Sequence, residues 1–277
     1  MPIELPPGTA SYSDRSQPPQ KRQYLLLFGI GVAIVIAVFW LFNTLVNGLV
    51  WLIPPGVERQ LGVLTVPAFE RLAQPSPAQD TLNQFLDRLE AHLPAEQRQN
   101  RDYQVLFVPD STVNALAIPG DRIIIYKGLL NKMESENELM MVLGHELGHF
   151  SNRDHLRALG RGLVLQLALA TFFGDIGSLQ AIAVSGVTAL SDARFSQNQE
   201  YRADSVGLDL LQATYGHVAG ATDFFAELSQ QLELNIEFLS THPASQNRVK
   251  QLEEAIAQRG YRLGEKRPLP AALTEIS

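Results

Sequence analysis

The chain has 277 residues, 45% hydrophobic and 18% charged, so it can bury a sizeable core and is not broadly disordered. Its net charge of −7 argues against nucleic acid as a partner, and the absence of cysteine removes disulfide frameworks, thiol catalysis and cysteine-held metal. Any metal must be held by carboxylates and by the chain's six histidines.

In chain order, residues 1–22 are rich in proline, serine and glutamine and read as a disordered tail. From Tyr24 to Phe42 the run YLLLFGIGVAIVIAVFWLF has no charge, and the chain stays mostly apolar to Ile53 before Pro54-Pro55 ends it. A membrane-spanning helix needs about 20 apolar residues, so residues 23–53 are expected to form a transmembrane anchor that meets lipid through residues 24–42. No small-residue cleavage site follows, which argues against a signal peptide, and a buried soluble helix of this length would show a polar face. Arg15, Lys21 and Arg22 precede the span, and Arg59 is the first basic residue after it. The positive-inside rule therefore puts the N-terminus in the cytoplasm and the large C-terminal part outside it, in a periplasm or its equivalent.

Residues 54–77 carry five prolines and read as a juxtamembrane linker. Helical spacing follows at Leu82, Phe85, Leu86 and Leu89, ending near Pro94. Tyr103–Val108 and Arg122–Tyr126 read as strands, the second after the Pro119-Gly120-Asp121 turn. Ser135 and Glu138 have capping-box spacing and open the next helix. Residues 163–190 are again apolar but broken by Gly174, Gly177 and Gly186, as expected of core helices or a hairpin resting on a membrane; a second full span fits less well, because it would put the segments before and after it on opposite sides of the membrane.

The helix opened at Ser135 contains Leu143-Gly-His-Glu-Leu-Gly-His149. His145 and His149 stand one turn apart and face the same way, so both can reach one metal ion. Glu146 lies beside the first of them, placed to work on water at the metal rather than on the metal itself. His155 imitates the spacing of a third histidine ligand, but that pattern also needs a downstream methionine turn, and every methionine lies upstream. His155 is therefore expected to be an ordinary residue. Farther on, Glu200 and Asp204 are four apart and share a helix face. One carboxylate can complete a His-His-carboxylate zinc site while the other orients a ligand imidazole.

With these motifs, residues 100–258 resemble the HtpX and CAAX-prenyl-protease family of membrane-associated zinc metallopeptidases. Asn114-Ala-Leu-Ala-Ile-Pro-Gly120, Ile123–Tyr126 and Gly128-Leu-Leu130 are similar to the family's segment before the catalytic helix. Glu200-x-x-Ala-Asp204 matches its third-ligand motif, and Thr241-His-Pro243 with Arg248 matches its C-terminal motif. The chain departs from the family at Gln197, where many members carry arginine. The resemblance implies one Zn2+ per chain held by His145, His149 and Glu200, with Glu146 as general base and Asp204 behind a histidine ligand. It also implies that His242 and Arg248 line the substrate cleft, His242 with a catalytic role. The strand Ile123-Ile124-Ile125 is expected to hold an extended, unfolded polypeptide by backbone pairing.

The expected fold is α+β and mainly α-helical: a zincin-type peptidase domain over residues 78–265, with a small sheet before the metal-binding helix and a C-terminal tail over 266–277. The expected function is endopeptidase cleavage of misfolded or misassembled membrane and secreted proteins. A membrane-anchored chaperone or assembly factor with a latent zinc site is the alternative. A zinc hydrolase of some other bond fits less well, because this ligand pattern is chiefly a peptidase one. Orientation is testable directly. A reporter that works only outside the cytoplasm, fused after Ser277, should be active; activity of a cytoplasmic reporter alone would reverse the orientation.

Overall fold

The computed structural model describes residues 21–162, 193–230, 236–243 and 246–275, with Thr188 and Leu190. The N-terminal tail and nearly all of the apolar stretch 163–190 lie outside the described residues. The long apolar run forms α1 (Lys21–Leu52), whose 32 residues extend about 48 Å at the α-helical rise. Among the described residues it is the one helix long and apolar enough to cross a membrane. Two compact units divide the chain between Leu45 and Val46, so the last turns of α1 belong to the larger unit.

That unit begins earlier than residue 78. The proline-rich stretch read as a linker contains a helix, α2 (Pro55–Glu70), because Pro55 occupies the first helical position, where a missing N–H costs nothing. The helix buries Phe69 and carries Glu58 into the interior. There Arg101 donates to both Glu58 oxygens, at 2.7 and 2.8 Å, and to Asp121 Oδ1 at 2.6 Å. His155 Nε2 lies 2.7 Å from the same Glu58 carboxylate. His155 is thus an ordinary buried partner, as its sequence context suggested.

Next come α3 (Pro77–Glu90), capped by the Ser76 hydroxyl, and the single turn α4 (Ala95–Arg98). The sheet has three strands, β1 (Gln104–Val108), β2 (Ala115–Ile118) and β3 (Arg122–Tyr126), in the order β1-β3-β2. β1 runs parallel to β3 and β2 antiparallel, with Leu106 and Leu116 both opposite Ile124. Side chains alternate between two cores, as the two-residue period of a strand requires. Val105, Phe107, Ile123 and Ile125 face the larger core; Leu106, Leu116, Ile118 and Ile124 face the smaller one with Phe69 and Leu159. The outer edge of β1 is occupied by side chains of α3: Asn83 bonds both backbone groups of Val105, and Gln79 accepts from Phe107 N–H.

This topology corrects the expected substrate strand. Ile123, Ile124 and Ile125 lie on the central strand, fully buried and paired on both edges, so their backbone is not available to a substrate.

After α5 (Lys127–Leu130) comes α6 (Glu136–Ser151), buried along almost its whole length, then a helical stretch over 154–162. Among the described residues the further helices with defined bounds are α7 (Gln197–Tyr215), α8 (Asp223–Gln230), α9 (Glu237–Thr241), α10 (Gln246–Arg259) and α11 (Ala271–Thr274). The segment read as a C-terminal tail is docked on the domain. Arg267 bonds Asn137 and Glu136 through its backbone, and Leu273 is buried.

The Glu58 cluster has a measurable weight. Burial alone would raise the Glu58 carboxyl, but His155 and then Arg101 outweigh it and lower its pKa to about 2. Its stabilising contribution is therefore complete above about pH 4.5 and lost as pH falls towards 2. Glu58→Gln should cost roughly 3–5 kcal/mol at neutral pH, the usual loss when one partner of a buried pair is removed. Denaturant unfolding of the detergent-solubilised chain should show that cost, and the gap should close on acidification.

Candidate metal centre

The centre is built where α6 crosses α7, and small residues make the crossing possible. A methyl on Gly148 would meet Ala203 Cα at 2.6 Å, and one on Gly144 would meet Gly207 Cα at 3.0 Å. Ser135 caps α6, accepting from Glu138 N–H, and Ser196 caps α7 in a reciprocal box with Gln199. Both helices therefore start at defined residues, and His145, His149 and Glu200 point into the same buried space.

Four donor atoms converge there. His145 Nε2 lies 3.1 Å from His149 Nε2 and 3.2 Å from His242 Nδ1. Glu200 Oε1 is 3.1 Å from His242 Nδ1 and 3.4 Å from His149 Nε2, and Glu200 Oε2 is 3.6 Å from His145 Nε2. A tetrahedral ion held at about 2.0–2.1 Å requires donors about 3.3–3.4 Å apart, so the set fits one small cation. His145, His149, Glu200 and His242 are all buried and form the one such group among the described residues.

Carboxylates behind the imidazoles fix their orientation. Asp204 Oδ1 lies 2.8 Å from His145 Nδ1. Asp154 Oδ2 lies 3.0 Å from His149 Nδ1, a partner that the sequence reading missed. Asp154 also accepts from Gln199 at 2.7 Å and from Arg157 at 2.8 Å. The available signal was an acidic residue just past the end of the metal-binding helix, where the chain can fold back on it. Both Nδ1 atoms are therefore engaged, which leaves Nε2 to face the centre. Phe195 stacks on His149 with ring centroids 4.0 Å apart, and Phe238 stacks on His242 at 4.5 Å.

Arg248 differs from expectation. It does not line an open cleft but is buried, 2.5 Å from Glu200 and bidentate on Asp204 at 2.7 and 2.8 Å, above the Phe225 ring. Its long side chain reaches inward from the first turn of α10 because two buried carboxylates require a cation. His242 was expected beside the substrate, and its Nδ1 instead stands among the donors. Its Nε2 is 3.6 Å from Glu146 Oε1.

Electrostatics match these contacts. Burial would raise Glu200 and Asp204, but Arg248 above all holds both below the usual carboxylate range, Glu200 well below it. Burial lowers His145, favouring the neutral imidazole that a metal needs. Burial also acts downward on His149, but hydrogen bonds to Asp154 and Glu200 outweigh it and raise its pKa to about 10. Glu146 is fully buried, and neither of its oxygens has a hydrogen-bond partner. Two orphaned carboxylate oxygens beside a ready donor set are the observation that best fits a cation and a reacting water.

A sequence profile of peptidase family M48 matches residues 78–256. The chain is similar to mitochondrial metalloendopeptidase OMA1 of Arabidopsis thaliana, 32% identical over 60% of this chain and 34% of the relative. It is 32% identical to metalloprotease LoiP of Escherichia coli (strain K12) over 58% of this chain and 65% of that protein. It is 27% identical to the beta-barrel assembly-enhancing protease of Yersinia pestis over 61% of this chain and 37% of the relative. The chain thus spans from about a third to just under two thirds of the length of these relatives.

The support given by Asp154 can be measured. Asp154→Asn should weaken metal binding about 10–100-fold, the usual effect of losing such a partner. Competition against a chelator of known affinity reads this directly, and His155→Ala should leave the same measurement unchanged.

Proposed function

The chain belongs to peptidase family M48, and from that premise we propose that it is a membrane-anchored, zinc-dependent endopeptidase that cleaves misfolded or misassembled polypeptides. The observation that carries this reading is the unbonded Glu146 carboxylate beside four converging donors. An imidazole-rich set of this size favours zinc over magnesium or calcium, which prefer all-oxygen shells. His145, His149 and Glu200 would hold one ion per chain. Zinc bound there would polarise the scissile carbonyl and acidify the attacking water.

The chain's own groups supply the rest. Asp204 and Asp154 hold the two imidazoles in register, and Arg248 keeps Glu200 and Asp204 ionised by its charge. Glu146 accepts the water's proton on a carboxylate oxygen and returns it to the leaving amine. For substrate, β2 replaces the central strand of the first expectation. It packs against α6 and, among the described residues, is paired on one side only. Its four residues are buried, so its outer edge can add an extended polypeptide by backbone hydrogen bonds only once what covers it moves; such bonds select shape more than sequence and suit unfolded chains. The apolar helix α1 would hold this activity at a membrane, with the domain on its extracytoplasmic side. One relative is named a beta-barrel assembly-enhancing protease, which supports a role for this chain towards misassembled membrane proteins.

One observation favours the alternative of a latent site in a chaperone or assembly factor. His242 Nδ1 fills the fourth donor position, and His145, Glu146, His149 and His242 are all shut off from solvent. Catalytic zinc sites keep one position open, so cleavage requires His242 to withdraw.

Glu146→Gln separates the readings. The variant should keep its zinc and lose peptide cleavage by at least about a hundredfold, the scale of general-base catalysis. Parental cleavage rates would refute the assignment of Glu146, and a variant that still complements a null strain would favour the chaperone. His242→Ala should raise cleavage if this residue is a latch and lower it if it acts in the chemistry.

A further inference from the structure

The contacts of Asp154 continue past the metal centre to the end of α1. Arg153 follows the C-cap of α6 in a left-handed conformation, φ 57°. A residue with a side chain stays in that region only where its surroundings over-determine it. Its Nη1 donates to the carbonyls of Val50 at 2.8 Å and Ile53 at 2.6 Å. Carbonyls at the end of a helix lack helical partners, and α1 has no basic residue in its own last turn. The indole of Trp51 lies 5.6 Å from the guanidinium carbons of both Arg153 and Arg157. Val46 and Val50 are buried, so the end of α1 packs within the unit that holds the metal centre.

From Trp51 to a metal donor is a short path. Arg157, only 7% exposed, donates to the Asn152 carbonyl and to Asp154 Oδ1 at 2.8 Å. The other oxygen of Asp154 takes His149 Nδ1. Arg157 therefore sits between the indole and Asp154. A long cationic side chain left open on its outer side turns towards water, and the indole closes that side. With Arg157 and Gln199 both on Oδ1, the carboxylate plane is set, and so is the direction of the bond to His149.

We propose that Trp51, Arg153 and Arg157 are positioning residues for His149. The last turn of the apolar helix is part of the metal centre's support and not simply a tether. This rests on the reading of His149 as a metal donor. It follows that metal affinity responds to the state of the helix end, so that a chain cut after the anchor holds its ion more weakly than the intact chain.

The test uses the full chain in detergent micelles and measures zinc affinity by competition with a chromogenic chelator. Trp51→Ala should weaken binding about tenfold, the low end of what loss of an outer partner costs. Trp51→Phe should keep most of the affinity because an aromatic face remains, whereas Arg157→Lys should lose it because an ammonium has no plane to lie against the indole while it bonds Asp154. Trp40→Ala, at an exposed site in the middle of α1, should change nothing. In an Asp154→Asn background the Trp51→Ala loss should vanish, which a general destabilisation would not produce. Parental affinity in Trp51→Ala, or an undiminished loss in the Asp154→Asn background, overturns the proposal and leaves the donor assignment intact. A parent chain that binds no zinc overturns the donor assignment and the proposal together.

Discussion

The close crossing of α6 and α7 is the constraint on which the metal centre depends. Helices normally pack with axes 8–10 Å apart, and side chains set that spacing. Here Gly144, Gly148, Ala203 and Gly207 remove them, so backbone meets backbone. The donors lie next to these small residues in sequence, His145 and His149 on one helix and Glu200 one turn before Ala203 on the other. Any larger side chain at Gly148 would spread the helices and carry Glu200 away from a donor spacing of 3.4 Å. Fold and site are therefore one structure: the packing that buries the core of α6 also closes the donor set.

A site this deeply buried must balance its own charge. Glu146, Asp154, Glu200 and Asp204 are four buried carboxylates, and Arg157 and Arg248 are the two buried guanidiniums against them. Isolated ions in such surroundings would cost several kcal/mol each, so two positive charges are wanting. Without metal, the bonds to Asp154 and Glu200 raise the pKa of His149 and favour its protonated form. A divalent cation supplies the missing charge in one step and displaces that proton. Arg248 belongs to this balance, which explains its inward course from a helix whose other faces are largely polar.

Much of this was legible in the sequence because it rests on local spacing. The one-turn interval of His145 and His149, the Ser135 cap, the two strands and the Glu200-Asp204 interval each follow from helical or strand periodicity. Long-range topology was not legible. Nothing in Ile123-Ile124-Ile125 says that β3 is central, because a buried edge strand and a buried middle strand have the same apolar run. Proline content suggested a linker over 54–77, but prolines at the start of a helix are compatible with one, and Glu58 shows its role only against Arg101 and His155. Asp154 was hidden for the same reason, and Arg248, singled out by the resemblance, was expected in an open cleft because its two carboxylate partners lie about 45 residues away in the chain. A lone charged residue in a sequence reads as surface until its partner, far away in the chain, is known.

The central claim is that two crossing helices assemble a tetrahedral, imidazole-rich zinc site. Zinc-edge X-ray absorption on the purified, detergent-solubilised chain tests it most directly. The account predicts about four nitrogen and oxygen neighbours at about 2.0–2.1 Å, with the outer-shell scattering of at least two imidazoles. A purified chain without zinc, or a six-oxygen shell with no imidazole signal, would contradict it.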